Sequence, residues 1–258
     1  FKNEFIEGLE DNLSKTTLNT SDGVKEFDLV IGADGRNSII RELAAINYSK
    51  KTYKESILVT EINHSIPNNN TSFEIHRNGS LLTSVPTSDK DSAIVMIDHS
   101  QKIDGIDIDD LNAIISEGLS TYLGDTIVSN KYSILPSVTI NAEKLYRNRV
   151  MLVGESAHVI PPIGAQGLNL GLRDIITFYN ILLNNEAKDP GSKTILSSYN
   201  NMRWFDIYKR YKSVNLLYQS MMNNNAGYSA IRNIGFLTLN KSRRIRNMLL
   251  SEGLSFNK

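Results

Sequence analysis

The 258-residue sequence contains no cysteine. That absence excludes disulfide bonds, thiolate-bound zinc and a cysteine nucleophile as parts of this chain. Histidine is also scarce, and the four histidines are scattered without a metal-ligand spacing, at His64, His76, His99 and His158. The sequence therefore favours neither a metal centre nor thiol chemistry.

Excess charge and long apolar runs are missing as well. Lys and Arg total 28, Asp and Glu total 28, and the formal net charge is zero, so no overall field favours nucleic acid or an anionic membrane. No apolar run approaches the roughly 20 residues that span a bilayer. Hydrophobic residues make up 40% and charged residues 22% of the chain, which is typical of a globular protein with one large or two modest domains.

The first segment with a chemical pattern is "VIGADGRNSIIRE", which begins at Val30. Residues 15–31 predict a hairpin and then a buried strand, and Ser38 is a plausible N-cap for a short helix after the glycine-rich turn. Gly32 and Gly35 would let the backbone approach a ligand, and Asp34 offers a carboxylate to ribose hydroxyls. Arg41, near the start of that helix, is a candidate for a pyrophosphate contact. A tight strand-to-helix turn capped by Asp34 explains the pattern equally well.

The second segment is "VMLVGESAHVIPPIGAQGLNLGLRD", residues 150–174. It predicts a buried strand, a loop rich in glycine and proline, and a helix from about Leu168 to Asn184. Glu155 would lie at the carboxyl edge of a parallel sheet, where α/β proteins bind their ligands. The free amides of the helix N-terminus favour an anion, such as the electron-rich N1–C2=O edge of a reduced flavin. A loop that only closes a strand-to-helix crossover is the less favoured interpretation.

The remaining sequence predicts an antiparallel sheet over 52–98, a helix over 107–124, a further strand, and a helical tail from Ser192 with breaks near 223–227 and 240. The order predicts an α/β (α+β) fold, a Rossmann-like nucleotide-binding layer interrupted by an inserted sheet. The expected divisions are 1–50 and 143–190 for the nucleotide-binding layer, 51–142 for the insertion and 191–258 for the C-terminal helical region.

Taken together, the two motifs resemble those of the flavin-dependent aromatic hydroxylases of the para-hydroxybenzoate hydroxylase type. "DLVIGADGRNSIIRE" is similar to a motif of that family that serves FAD and the nicotinamide cofactor. "RVMLVGESAHVIPPIGAQGLNLGLRD" is similar to the motif around the flavin ribityl chain and ring. The wording "GAQGLNLGLRD" and the helical tail are most similar to the ubiquinone-biosynthesis hydroxylases, and the resemblance covers essentially the whole chain.

The resemblance implies a role for individual residues. Glu155 takes a position usually held by Asp, where the carboxylate holds a ribityl hydroxyl. The prolines would line the ring, the start of the helix would face the pyrimidine edge, and the first loop would lie near the diphosphate. The implied cofactor-binding residues are Gly32, Asp34, Gly35, Arg41, Gly154, Glu155, Pro161, Pro162, Gly164, Gln166, Gly167, Leu168 and Asn169. No catalytic side chain and no metal ligand is assigned.

The resemblance also implies a reaction. NAD(P)H would reduce FAD, reduced flavin would take up O₂ as a C4a-hydroperoxide, and its distal oxygen would be transferred to a phenol ring, for which a prenylated phenol of ubiquinone biosynthesis is favoured. The insertion would cover this small aromatic substrate. The alternatives left open are a soluble aromatic or antibiotic substrate and a non-catalytic scaffold in a biosynthetic complex. A cytoplasmic location is expected, with peripheral contact at the inner membrane also open.

One departure from the family stands out. The family begins with a strand and a G-x-G-x-x-G turn that bind the ADP half of FAD, whereas this sequence contains no such pattern and begins at Phe1 without an initiator Met. We therefore expect that the chain is an N-terminally truncated form. We also expect that it binds FAD poorly or not at all when alone and is inactive by itself.

Overall fold

The structure is a computed structural model that describes residues 4–11, 14–77, 79–163, 166–185, 189–223, 227–228 and 242–243. Gly164 and almost all of the predicted helical region beyond residue 223 lie outside the described residues. The chain divides into two compact units. The first contains Phe1–Lys51, Val138–Leu216 and Ser242–Lys258, and the second contains Thr52–Ser137 and Leu217–Lys241.

The strands follow one another as β1 (Ile6–Asp11), β2 (Thr16–Thr20), β3 (Gly23–Phe27), β4 (Val30–Gly32), β5 (Tyr48–His64), β6 (Phe73–Arg77), β7 (Ser80–Pro86), β8 (Asp91–His99), β9 (Thr126–Ala142), β10 (Tyr146–Arg147), β11 (Val150–Leu152) and β12 (His158–Val159). The helices are α1 (Ile39–Leu43), α2 (Ser100–Ile103), α3 (Ile108–Leu123), α4 (Gln166–Leu183) and α5 (Lys193–Met222). The mixed fold class predicted from the sequence is confirmed.

The first unit is built on two small sheets. One has the order β1-β2-β3, and its β2–β3 hairpin turns at the predicted glycine, Gly23. The other has the order β10-β11-β4, and β11 runs parallel to β4 with Val150 opposite Val30. The side chains of β11 are almost fully buried because helices α4 and α5 supply the same apolar core. This parallel pair fixes where the two glycine-rich loops begin.

The second unit contains the antiparallel strands that the sequence predicted. β8 pairs with both β5 and β7, and β7 pairs with β6, all antiparallel. Helix α3 begins after Asp107, whose side chain accepts a hydrogen bond from the amide of Asp110 at 2.8 Å. Its buried face, with Leu111, Ile115 and Leu119, belongs to one apolar cluster with Leu58 and other strand side chains. Burial of this stripe explains why the 3.6-residue spacing identified the helix.

Candidate functional site

The first loop joins β4 to α1 and has the predicted N-cap. The Ser38 side chain accepts a hydrogen bond from the amide of Arg41 at 3.0 Å. Asp34 accepts from the Ser38 hydroxyl at 2.5 Å and from the amide of Ile40 at 3.1 Å. The capping interpretation of Asp34 is thus correct, yet its exposed carboxylate keeps lone pairs for a ligand. Gly35 has φ +80°, and a side chain added there would meet nothing within 4 Å, so the backbone lies open to a partner.

Arg41 is placed differently from the sequence expectation. Its side chain is buried, and its guanidinium donates to the carbonyl oxygens of Ser156 and Arg36 at 2.9 and 3.1 Å. It also lies 4.1 Å from the centroid of the Tyr48 ring. These contacts fasten the two loops to each other from inside the protein. Arg41 is therefore left out of the residues we propose to contact a diphosphate.

The second loop leaves β11 through a residue in the left-handed backbone region. Gly154 has φ +62°, a backbone conformation that favours glycine, and it opens a short 3₁₀ turn to Ser156. Glu155 follows with an exposed side chain. Further along the loop Pro161 is buried, whereas Pro162 is exposed. The turn therefore presents a carboxylate at the carboxyl end of β11.

Helix α4 begins at Gln166, two residues earlier than predicted. The first four amides of a helix have no acceptor within it, and they carry its partial positive charge. Those amides belong to Gln166, Gly167, Leu168 and Asn169. Among the described residues, a Cβ atom added at Gly167 would find no atom within 4 Å apart from its chain neighbours and the backbone of its own helix. The start of α4 thus combines free donors with open space, which suits a flat polar ligand.

The two loops meet, because parallel neighbouring strands deliver them to the same edge of the sheet. The Nε atom of Arg36 lies 3.3 Å from Oε2 of Glu155, which joins the first loop to the second. Gly171 on α4 is close enough to the second loop that a Cβ atom there would lie 3.4 Å from the Cα atom of Gly154. Together the loops and the start of α4 form one candidate binding surface within the first unit.

A buried polar network beneath this surface was not identified from the sequence. Asp174 is fully buried and accepts hydrogen bonds from the amide of Gly154 at 2.9 Å, from His158 at 2.7 Å and from Arg203 at 2.8 Å. Burial opposes the charge on Arg203, but the carboxylates of Asp174 and Asp206 hold the pKa of its guanidinium above the ordinary value. The available signal was Asp174 itself, a single acidic residue on an otherwise apolar helix face.

The histidines have structural contacts. His158 is buried in the network around Asp174, and its Nδ1 atom has no hydrogen-bond partner among the described residues. His64 is buried between the carbonyl of Ile66 and the hydroxyl of Ser92. Within the described ranges no group of three or more potential ligands could hold a metal ion.

The fold and the loops place the chain in a class: an α/β nucleotide-binding layer in which two glycine-rich turns follow adjacent parallel strands. The family model for the FAD binding domain matches residues 4–205, so the chain belongs to that family. The match confirms FAD as the cofactor class predicted from the sequence.

Curated relatives point in the same direction. The chain is 25% identical over 211 residues to a ubiquinone hydroxylase, UbiM, of Neisseria meningitidis, a match that spans 80% of this chain and 46% of the relative. It is 25% identical to the 3-demethoxyubiquinol 3-hydroxylase of Escherichia coli, spanning 88% of this chain and 59% of the relative. The chain thus spans about half the length of these relatives.

Solved structures show the same fold. The Diels-Alderase PyrE3 of pyrroindomycin biosynthesis superposes with a TM-score of 0.77 at 19% identity, over 96% of this chain and 54% of that protein. At this identity the likeness concerns the fold alone. No helix in the described part of the chain is long and apolar enough to cross a membrane.

Proposed function

We propose that this chain forms the flavin-binding part of an FAD-dependent monooxygenase that hydroxylates an aromatic ring. The observation that carries the proposal is the meeting of the two motif loops at one sheet edge, where Arg36 and Glu155 pair at 3.3 Å. The family match and the ubiquinone hydroxylases among the relatives support the same reaction class.

The described residues fit the flavin ring and ribityl chain. Glu155 engages Arg36 through Oε2, and its Oε1 atom would accept a hydrogen bond from a ribityl hydroxyl. The amides at the start of α4, including that of Gly167, would donate to the pyrimidine edge and favour negative charge there, a contribution of about 0.3–1 kcal/mol or more when buried. Pro161 and Pro162 would line the ring, and Asp34 and Gly35 would lie near the diphosphate.

When bound, FAD would supply hydride acceptance and oxygen activation, and the protein would orient the ring and exclude water. The proposed overall reaction consumes NAD(P)H, a proton and O₂, and it yields a hydroxylated ring, NAD(P)⁺ and water. The names of the relatives refer to ubiquinone and demethoxyubiquinol, which supports a substrate of ubiquinone biosynthesis. The motif resemblance favours a prenylated phenol among such substrates. Because we expect the chain alone to be inactive, calorimetric titration with prenylated and unprenylated phenols checks this preference, and tighter binding of the unprenylated phenol would contradict it.

A flavin titration tests the cofactor part of the proposal. Apart from Asp34 and Gly35 near the diphosphate, the contacts above concern the ring and ribityl half, and the sequence holds no G-x-G-x-x-G for the adenylate half. We therefore expect weak but saturable binding, with similar affinity for FMN and FAD, measured by quenching of flavin fluorescence. Absence of saturable binding of either flavin at high protein concentration would contradict the proposed site.

Gly167→Ala provides the sharpest variant. The added methyl group meets no described atom within 4 Å beyond its chain neighbours and its own helix backbone, and alanine favours a helix over glycine by up to about 1 kcal/mol, so the fold should be kept. The methyl group would, however, occupy the space in front of the free amides, and flavin affinity should fall at least about tenfold, which is ~1.4 kcal/mol. Equal affinity of the variant and the unmodified chain would place the flavin elsewhere.

A further inference from the structure

A cavity of 560 Å³ lies at the opposite end of β11 from Gly154. Its lining comes from three segments: residues 45–47 before β5, residues 143, 144 and 146–149 around β10, and Gly191 with Lys193 at the start of α5. All of them belong to the first unit. The volume falls in the range of small-molecule sites, about 300–1,000 Å³.

The lining is strongly cationic. Lys144, Arg147, Arg149 and Lys193 contribute four positive charges, and Glu143 is the sole acidic residue among the lining residues. In a chain with zero net charge, this concentration of one sign is local. A cavity with like charges on its walls focuses the field and raises the local concentration of an oppositely charged ligand.

The two arginines are held in place by the protein. Arg149 is buried, pairs with Asp189 through both terminal nitrogens and donates to the carbonyl of Asp28 at 2.7 Å. The hydrogen bonds that Arg149 donates to the Asp189 carboxylate raise the pKa of its guanidinium, although partial burial opposes this. Arg147 donates to the carbonyl oxygens of Ala44 and Ala45 at 3.2 and 3.1 Å. Carbonyl oxygens do not neutralise a guanidinium, so the lining of the cavity keeps the positive charge of Arg147.

The two lysines carry their positive charges on side chains that can reorient toward a ligand. Both side chains are exposed, and neither Lys144 nor Lys193 forms an ion pair within the described ranges. Asp189 balances the charge of Arg149, and Glu143 balances one of the other three positive charges. Two positive charges therefore remain in excess. The first turn of α5, which begins at Lys193, adds the partial positive charge of a 30-residue helix.

We propose that this cavity binds a phosphate-bearing organic ligand. Two excess positive charges match a phosphate dianion or a diphosphate. The side chains of Ile46 and Tyr146 give the same cavity an apolar wall for the organic part. The phosphate could belong to a soluble nucleotide or to a phospholipid headgroup. The proposal goes beyond the flavin-binding function, since it concerns the other end of the β4–β11 pair.

The test is a titration of the 258-residue chain with pyrophosphate and with ADP by isothermal calorimetry, and co-sedimentation with phosphatidylcholine vesicles that contain or lack phosphatidic acid. We expect 1:1 saturable binding in at least one arm. Binding of ADP or pyrophosphate identifies a soluble ligand, and binding to the acidic vesicles alone identifies a lipid headgroup. Absence of binding in every arm overturns the proposal.

A pair of double variants makes the test specific. Lys144→Gln with Lys193→Gln removes the two adaptable charges and leaves Arg149 and its structural ion pair untouched. Lys54→Gln with Lys131→Gln removes the same charge from exposed positions of the second unit that do not line the cavity. The first pair should weaken binding at least about tenfold and reduce its salt dependence, whereas the second should leave binding unchanged.

Equal loss in both double variants would mean that the chain attracts anions only through its overall charge, and it would overturn the proposal. Thermal melting of each variant without ligand monitors folding. Because all four lysines are exposed, we expect the melting temperatures to stay close to that of the unmodified chain. Flavin binding should be the same in both double variants, which separates this proposal from the proposed function.

Discussion

The Nε2 atom of His158 lies 2.7 Å from Oδ2 of Asp174, and both side chains are almost fully buried. The same carboxylate oxygen accepts the amide of Gly154, and Oδ1 accepts from Arg203 on α5. A single carboxylate therefore ties the proposed flavin loop to two helices. The geometry of that loop therefore depends on the negative charge of Asp174, which lies outside the loop on α4.

Substitution of Asp174 by Asn should strongly destabilise the protein. The amide keeps the size of the side chain but removes the charge that faces the buried guanidinium of Arg203. Breaking a buried ion pair from one side costs about 3–5 kcal/mol. Urea unfolding of the variant measures this loss, and Glu26→Gln, at an exposed position of β3, serves as a control expected within about 0.5 kcal/mol.

The double variant Asp174→Asn with Arg203→Met tests whether the loss comes from this pair. Removal of both charges leaves no buried cation without its partner, so the combined loss should be smaller than the sum of the single losses by about 1 kcal/mol or more. Additive losses would show that the two residues stabilise the fold independently.

Variants of Glu155 should separate flavin binding from folding. The side chain is about half exposed and pairs only with Arg36 in the described part of the chain, so Glu155→Ala should change the free energy of unfolding by less than about 0.5 kcal/mol. If the carboxylate holds a ribityl hydroxyl, the same change should weaken flavin binding about tenfold. Glu155→Asp, the residue that the family usually has, should keep the affinity. Fluorescence titration measures the flavin affinity of both variants. An unchanged affinity in Glu155→Ala would show that Glu155 is not part of the flavin site.

Local patterns identified much of the fold. The capping residue Ser38, the parallel strands around the two loops and the buried stripe of α3 are encoded within a few neighbouring positions, so the sequence predicted them. The contacts of Asp174 join residues 16, 20 and 29 positions apart. Such contacts depend on how whole helices pack, and no local spacing reveals them.

Arg41 is a second example of a residue whose contacts could not be predicted from the sequence. Its position in α1 fixed the face of the helix that it occupies, but not what covers that face. The Ser156 carbonyl, which is 115 positions away in sequence, and the Tyr48 ring beyond the end of α1 cover it in the folded chain. The cavity lined by Lys144 and Lys193 was missed for the same reason, because its walls come from three separate segments.

Two glycines should respond differently to alanine. A Cβ atom at Gly191 would lie 2.0 Å from the carbonyl oxygen of Asp28, a backbone atom that cannot move easily. At Gly118 in α3 the nearest atom is a terminal methyl carbon of Leu82 at 2.5 Å, which can shift more easily than a backbone atom. Gly191→Ala should therefore cost about 1–3 kcal/mol. Gly118→Ala should stay within about 1 kcal/mol, because alanine favours the helix. Chemical unfolding ranks the two, and the reverse order would contradict this account.

The stability of the protein should fall in acid, and Asp206 should contribute to that fall. Burial raises the pKa of this carboxyl, but Arg203 at 2.5 Å and Arg210 at 3.1 Å overcome that effect and hold the pKa below its ordinary value. A carboxyl with a lowered pKa in the folded state stabilises the protein above its unfolded-state pKa, about 3.9. The stabilisation is lost as the pH falls through the folded-state value.

Asp206→Asn isolates this contribution. Because the side chain is partly exposed, we expect the variant to lose only about 0.5–1 kcal/mol at neutral pH. The difference from the unmodified chain should shrink as the pH falls from about 5 toward 3. Asp91 and Asp189 also have lowered pKa values, but they remain in both proteins and cancel in the difference. Urea unfolding at several pH values measures it, and a difference that stays constant down to the lowest pH would show that the charge of Asp206 does not stabilise the fold.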